Sequence, residues 1–231
     1  MLEVLYEDNH IIAVNKRCSD IVQADKTGDM PLSEHVKAYI KRKYNKPGDV
    51  YLGVPHRVDR PVSGVVVFAR TSKALTRLNK MFQDKDNQIE KIYWALVGKL
   101  PEKDSGVLVH YLVRDTEKNK SSVYNQPRNG AKEAKLEYRL LGSSQRYYCL
   151  EVKLHTGRHH QIRCQLAKIG CPIKGDLKYG FPRSNEGAGI SLHARSISFI
   201  HPVSGEKLRI VAPVPSKDQL WRVFEKSKQS R

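Results

Sequence analysis

Long apolar runs are missing from this 231-residue chain. No stretch approaches the ~20 consecutive apolar residues that a membrane-spanning helix needs, so a spanning protein is not expected. The opening Met1-Leu2-Glu3-Val4-Leu5-Tyr6-Glu7-Asp8 lacks the basic start and apolar block of a secretory signal. Cysteine is scarce, and Cys18, Cys149, Cys164 and Cys171 show no C-x-x-C spacing. A disulfide framework or zinc site is therefore not expected, and a reduced, cytoplasmic protein is. Internal repeats and Gly/Ser- or Pro-rich linkers are absent as well. With 39% apolar residues the chain can bury a real core, and residues 1–231 are expected to form one domain.

Acidic charge is also short. Lys and Arg number 41 against 24 Asp and Glu, a formal +17. An excess of this size implies a polyanionic partner, because each neutralised phosphate releases condensed counterions. A membrane surface would concentrate the basic residues on one amphipathic helix or juxtamembrane cluster. Here they are spread along the whole chain, which favours nucleic acid.

Periodicity gives the elements. Leu2, Val4 and Tyr6 alternate as a strand, and Ile11-Ile12-Ala13-Val14 forms its partner. Residues 16–30 read as loop. Leu32, Val36 and Ile40 fall at helical spacing, with Ser33 as cap. A strand over 64–70 leads into a helix capped by Thr71-Ser72, with Leu75, Leu78 and Phe82 on one face. Strands are expected at 89–98, 107–113, 136–142 and 146–154, then a helix through Ile162, Leu166 and Ile169 that Gly170 stops. Two more strands follow near 190–200 and 206–212. A closing helix from Ser216, with Gln219 completing a capping box, should turn Leu220, Val223 and Phe224 inward. The polar stretch 114–135 reads as a solvated hairpin loop, with a nucleic-acid-gripping insertion as the alternative. Strands outnumber helices without regular interleaving, so the expected class is α+β, a mixed, largely antiparallel sheet with flanking helices.

Three segments can carry chemistry. His56-Arg57-Val58-Asp59-Arg60, followed by Ser63-Gly64 and the run Val65 to Phe68, sets a carboxylate between two guanidinium groups at the rim of a strand. Taken alone, such a cluster is as readily a surface ion pair. His155-Thr156-Gly157-Arg158-His159-His160-Gln161-Ile162-Arg163 leaves a strand and enters a helix, where His159 and Arg163 would share a face apart from the core stripe. Backbone donors at that helix start, with Arg158, would make an anion site. Neighbouring His159 and His160 should point apart, and no carboxylate stands at ligand spacing, so no metal site is expected. In Lys91-Ile92-Tyr93-Trp94-Ala95-Leu96-Val97, alternation sends Tyr93 and Trp94 to opposite faces, one for packing and one for exposure.

Together these segments resemble the RluA-type RNA pseudouridine synthases. The family's HR[LV]D-x-x-[TS]-G is matched by His56 to Gly64, its K-x-Y-x-A-L-V strand by Lys91 to Val97, and its TGR-x-HQ[IL]R by Thr156 to Arg163. Gly175-Asp176-Leu177-Lys178-Tyr179-Gly180 matches G-D-x-x-Y-G. Leu192-His193-Ala194 and Phe199 to Glu206 match a further pair of motifs. The similarity runs in order from about residue 3 to Pro215. It implies the pseudouridine synthase fold, with Asp59 as the catalytic aspartate, Tyr93 as the ring that stacks on the flipped uracil, and Arg163 as the basic residue paired with the catalytic carboxylate. Arg57 matches a position that pushes into RNA and helps displace the target base. Arg17 stands where the family usually has Pro after Lys16, and Val58, Pro61-Val62-Ser63 and His159 also depart from its commoner residues. None of these removes a group the reaction needs.

The resulting expectation is an RNA-modifying isomerase that uses neither cofactor nor metal, acts on tRNA or rRNA, and is monomeric. Its catalytic residues would be Asp59, Tyr93 and Arg163, and its RNA contacts His56, Arg57, Arg60, Arg158 and His160. Many relatives carry an N-terminal RNA-binding module of the S4 type. The first strand here starts almost at Met1, so the catalytic domain is expected to grip RNA itself. The competing readings are a non-catalytic RNA-binding or chaperone protein of the same fold, and a metal-dependent nuclease built on His155, His159 and His160.

Overall fold

A computed structural model describes residues 2–84, 88–187 and 189–229. In chain order the elements are β1 (Val4–Glu7), β2 (Ile11–Lys16), α1 (Leu32–Lys43), β3 (Ser63–Ala69), α2 (Ser72–Gln83), β4 (Glu90–Val97) and β5 (Ser105–Asp115). They continue with β6 (Lys120–Tyr124), β7 (Lys132–Ser143), β8 (Tyr148–Leu154), α3 (Gln161–Lys168), a 3-10 turn (Leu177–Tyr179), β9 (Leu192–Ile200), β10 (Lys207–Val211) and α4 (Gln219–Gln229). The strand pairs with defined register are antiparallel, as expected for the α+β class.

The chain divides into two compact units. The first holds the residues up to Glu90 together with Ala194–Pro213, and the second holds Lys91–His193 with the C-terminal segment from Val214. In the first unit the strands run β1-β2-β3-β9, with β10 on β9. Asp8 makes the β1–β2 turn by accepting from the N–H groups of His10 and Ile11, both at 2.7 Å. Every residue of β3 is buried, as are Ile11 to Val14, so this is a strand pair covered on both faces rather than an alternating one. Thr71 caps α2 as expected, its hydroxyl accepting from Ala74 N–H at 3.2 Å. Ser33, by contrast, lies inside α1. Pro31 is the N-cap residue, and the first helical N–H groups, of Leu32 and Ser33, go to the carbonyls of Ile21 and Val22. The extended segment before the helix thus does the work assigned to a side chain.

In the second unit the order is β4-β8-β7-β5-β6. Trp94, Leu96 and Cys149 pack with Val214, Trp221 and Phe224 under α4, while Leu112, Ala134 and Cys164 form a separate cluster under α3. The stretch 114–135 is more than a loop: β5 runs on to Asp115 and pairs with β6, register Tyr111↔Tyr124 to Asp115↔Lys120. α4 starts three residues later than expected, because the Asp218 carboxylate, not Ser216, caps it through Leu220 N–H at 2.9 Å. Trp221 and Phe224 face the core, and Val223 is 51% exposed.

Candidate active site

Asp59 sits where an irregular extended segment turns into β3. Val62 N–H closes the turn onto Asp59 O at 3.0 Å. Gly64, at φ +113°, lets β3 approach Ala194 so closely that a Cβ would collide with its backbone N and O. The turn is also held from beneath. Lys16, the last residue of β2, is fully buried, and its ammonium donates to the carbonyls of Arg17, Arg60 and Val62 at 3.1, 3.0 and 2.6 Å. Burial pushes the Lys16 pKa down to about 8. Ser19 N–H adds a second donor to Arg60 O. The buried cation therefore fixes the backbone on the C-terminal side of Asp59, leaving its carboxylate half-buried.

Asp59 is an expected site residue and Lys16 is not. The signal was available: Ile12, Val14 and Lys16 share one face of β2, so the apolar stripe runs straight into the lysine.

The other residues of this segment divide into frame and surface. His56 belongs to the frame, since its Nε2 accepts from Val67 N–H at 2.9 Å and its ring stacks on Phe82 at 4.6 Å. Arg57 is exposed. Arg60 reaches Asp29 at 2.6 Å in an open ion pair, which contributes only about 0–1 kcal/mol.

In the second unit, register fixes the direction of Tyr93. Tyr93 opposes Val152, which opposes Tyr138, and directly opposed residues share a face of the sheet. Ala134, Leu136 and Tyr138 alternate onto that same face of β7, where Ala134 packs on Cys164 of α3. Tyr93, half-buried, thus lies on the α3 side, while Trp94 is buried on the α4 side. The Thr156-Gly157-Arg158 turn before α3 is tied to β7. Thr156 Oγ1 accepts from Lys135 N–H at 2.9 Å and donates to Gln161 Oε1 at 2.8 Å, which also accepts from Arg158 N–H at 2.9 Å. Arg158 is exposed, with Nε on Glu133 O at 2.8 Å. Its backbone N–H and its Nε thus both have protein partners, where an open anion site was expected.

His160 is the N-cap residue of α3 in the left-handed region, φ 54°. This conformation overturns two expectations. His159 precedes the helix instead of sharing its face with Arg163. The two imidazoles stack at 3.7 Å rather than pointing apart. His160 is buried, and its pKa is driven to about 2 by burial first and then by the Arg163 charge, so the ring is neutral. His159 contacts Ser121 Oγ at 2.9 Å and Asn119 Oδ1 at 3.1 Å, and His155 contacts Glu137 at 2.8 Å. Arg163 is not on an open face: its side chain is 5% exposed and forms a two-pronged pair with Asp176, 1% exposed, through Nε at 2.7 Å and Nη2 at 2.9 Å. The structure thus gathers His56, Arg57, Asp59 and Arg60 in one unit, and Tyr93, Arg158, His160 and Arg163 in the other.

The RNA pseudouridylate synthase family model matches residues 10–168. The chain is 33% identical over 230 residues to ribosomal large subunit pseudouridine synthase D of Xanthomonas campestris, covering 93% of this chain and 66% of that protein. It is 30% identical over 243 residues to tRNA pseudouridine synthase C of Vibrio parahaemolyticus, covering 97% of this chain and 95% of that one. Among solved structures, human RNA pseudouridylate synthase domain containing 4 shares the fold, with a TM-score of 0.78 at 22% identity, covering 97% and 93% of the two chains. The chain therefore spans about two thirds of the length of the first relative and nearly all of the second.

Proposed function

Because the chain belongs to the RNA pseudouridylate synthase family, we propose that it isomerises particular uridines to pseudouridine in structured RNA, tRNA or rRNA. Both units act as parts of one catalytic domain in this reading, and the family match, which includes residues of each, supports it. The target base must first leave its stack. The bond from the sugar to uracil nitrogen 1 then breaks, the uracil rotates, and the sugar bonds to carbon 5. The carbon 5 proton is released, nitrogen 1 takes one up, and no electrons enter or leave. Asp59 is the essential carboxylate, which attacks or abstracts a proton. Tyr93 is the ring that stacks on the detached uracil, and Arg163 is the basic residue of the reaction.

The observation that carries this reading is the braced Asp59 turn. A fully buried lysine donates three hydrogen bonds to the backbone beside one carboxylate. Burying a cation costs several kcal/mol that a purely structural turn would avoid. The exposure of Arg57 and of Arg158 supports their proposed contact with phosphates and bases, and the formal +17 supports a wider attraction for RNA. His56 and Arg60 of the first unit and His160 of the second are the further proposed RNA contacts; each has a protein partner as well, and His160 is buried. No helix among the described residues is long and apolar enough to cross a membrane. The protein is proposed to work as a monomer in the cytoplasm.

The test is tritium release from RNA labelled at carbon 5 of uridine, with tRNA and rRNA pools offered separately in excess chelator. Release from either pool establishes the isomerisation and identifies the RNA class to map. Tight RNA binding without release from either pool would favour a non-catalytic binder of the same fold.

A further inference from the structure

Asp176 and Tyr179 belong to a motif to which the reaction assigns no role, yet they enclose the one arginine that the reaction is proposed to use. Arg163 gives Nε and Nη2 to the two oxygens of Asp176, and its guanidinium carbon lies 5.1 Å from the centre of the Tyr179 ring. A planar fork held by a carboxylate at two nitrogens and by a ring against its face keeps little rotational freedom. The Tyr179 hydroxyl is anchored in turn. It accepts from Ser121 N–H on β6 at 2.9 Å and meets the neutral His160 Nδ1 at 2.9 Å. Burial raises the Tyr179 pKa to about 12, so the hydroxyl keeps its proton over the working range.

The arrangement is poorly explained by stability. A buried ion pair repays its desolvation only with good geometry, and replacing it with packed apolar groups is often neutral or stabilising. Here the pair is almost wholly shut off from water, and Tyr179 meets both the same guanidinium and His160 at the helix start from which it projects. The 3-10 turn Leu177–Tyr179 places both residues in one short stretch, with Tyr179 N–H bonded to Asp176 O at 3.1 Å. Orientation of Arg163 is the property that the Asp176 fork and the Tyr179 ring share.

We propose that Asp176 and Tyr179 are positioning residues for the isomerisation: they set the direction of the Arg163 guanidinium and do not themselves touch the uridine. The proposal rests on the reading that Arg163 serves the reaction. Asp176→Asn keeps shape but weakens the fork, and it lowers kcat about 100-fold, the cost of a misplacement of about 1 Å, with KM for RNA within about twofold. Tyr179→Phe keeps the ring and loses both anchors of the hydroxyl, and its fall in kcat is smaller.

The decisive measurement is a double-mutant cycle in single-turnover tritium release. If Asp176 acts through Arg163, the double variant Arg163→Met/Asp176→Asn is no slower than Arg163→Met alone. Multiplied losses, or full kcat in Asp176→Asn, would overturn the positioning role. Full kcat in Arg163→Met would instead overturn the reading of Arg163 on which the proposal rests. Should Asp176→Asn fail to fold, Tyr179→Phe in the same cycle decides: additive loss, or none, refutes the proposal. A purely structural role predicts equal falls in melting temperature and in the fraction of active enzyme, with kcat per folded molecule unchanged.

Discussion

Replacing Lys16 with methionine should separate the order of the Asp59 turn from the stability of the protein. Three carbonyls lose the ammonium, those of Arg17, Arg60 and Val62. Arg60 O retains Ser19 N–H as a donor. Leaving the other two without this donor costs about 1–3 kcal/mol each. Methionine, however, fills the space without a charge. The depression of the Lys16 pKa from 10.5 to about 8 puts the burden of holding that charge at about 3 kcal/mol, taking 1.36 kcal/mol per unit. The net change therefore lies between a gain of about 1 kcal/mol and a loss of about 3 kcal/mol, a fall in Tm of up to roughly 12 °C in a chain of this size. The effect on turnover is larger, because the backbone after Asp59 loses its anchor and a shift of about 1 Å costs about 100-fold. Tritium release under single turnover, filter binding of the same RNA and a thermal melt would be run on one preparation. The expected result is kcat down about 100-fold per folded molecule, with RNA affinity nearly unchanged. A kcat within twofold of wild type, whatever the melt shows, would refute the claim that Lys16 holds the reactive turn.

The remaining predictions concern the same two units. As pH rises through about 8, Lys16 loses its proton in the folded state and keeps two donors for three carbonyls, so kcat should fall there. The stability contribution has the opposite sign: between about pH 8 and 10.5 the unfolded state binds more protons, so this group's penalty on folding shrinks as pH rises. Lys16→Arg, which stays charged, should move the falling limb to higher pH; an unmoved limb would mean another group titrates. Gly64→Ala meets both a positive φ and the Ala194 backbone, and should destabilise by about 2–6 kcal/mol in urea unfolding; a change below about 0.5 kcal/mol would contradict the close approach. Tyr93→Phe should keep stacking and part of substrate binding while Tyr93→Ala loses both, and equal affinity of the two variants would remove the platform role.

How much of this was legible in the chain depends on the range of the interaction concerned. The strand through Val65 to Phe68, the turn before it and the opposite faces of Tyr93 and Trp94 are local consequences of alternation, and they stand as expected. β6 was hidden because Lys120-Ser121-Ser122-Val123-Tyr124 has no apolar period of its own. It is a strand because β5 extends to offer it an edge and Tyr179 accepts from Ser121 N–H. The stacking of His159 on His160 depends on one left-handed residue, which a helical projection cannot foresee. The burial of Arg163 depends on Asp176, thirteen residues away beyond a helix and a turn. The resemblance pairs Arg163 with the catalytic carboxylate but assigns no part in holding it to Asp176, which bonds two of its nitrogens. Lys16 falls at the edge of the stretch that reads as loop, although the parity of Ile12 and Val14 points to it.

Asp59→Asn shows whether Asp59 is the reacting carboxylate. The variant removes the charge and keeps the shape of a residue on a turn whose backbone is braced independently by Lys16. Wild type and variant would be compared for tritium release at carbon 5 and for RNA affinity at fixed salt, since affinity comes mainly from phosphate contacts. No detectable release is expected from Asp59→Asn, with affinity within a few-fold of wild type. Release at the wild-type rate, or a loss of binding as large as the loss of turnover, would contradict that role.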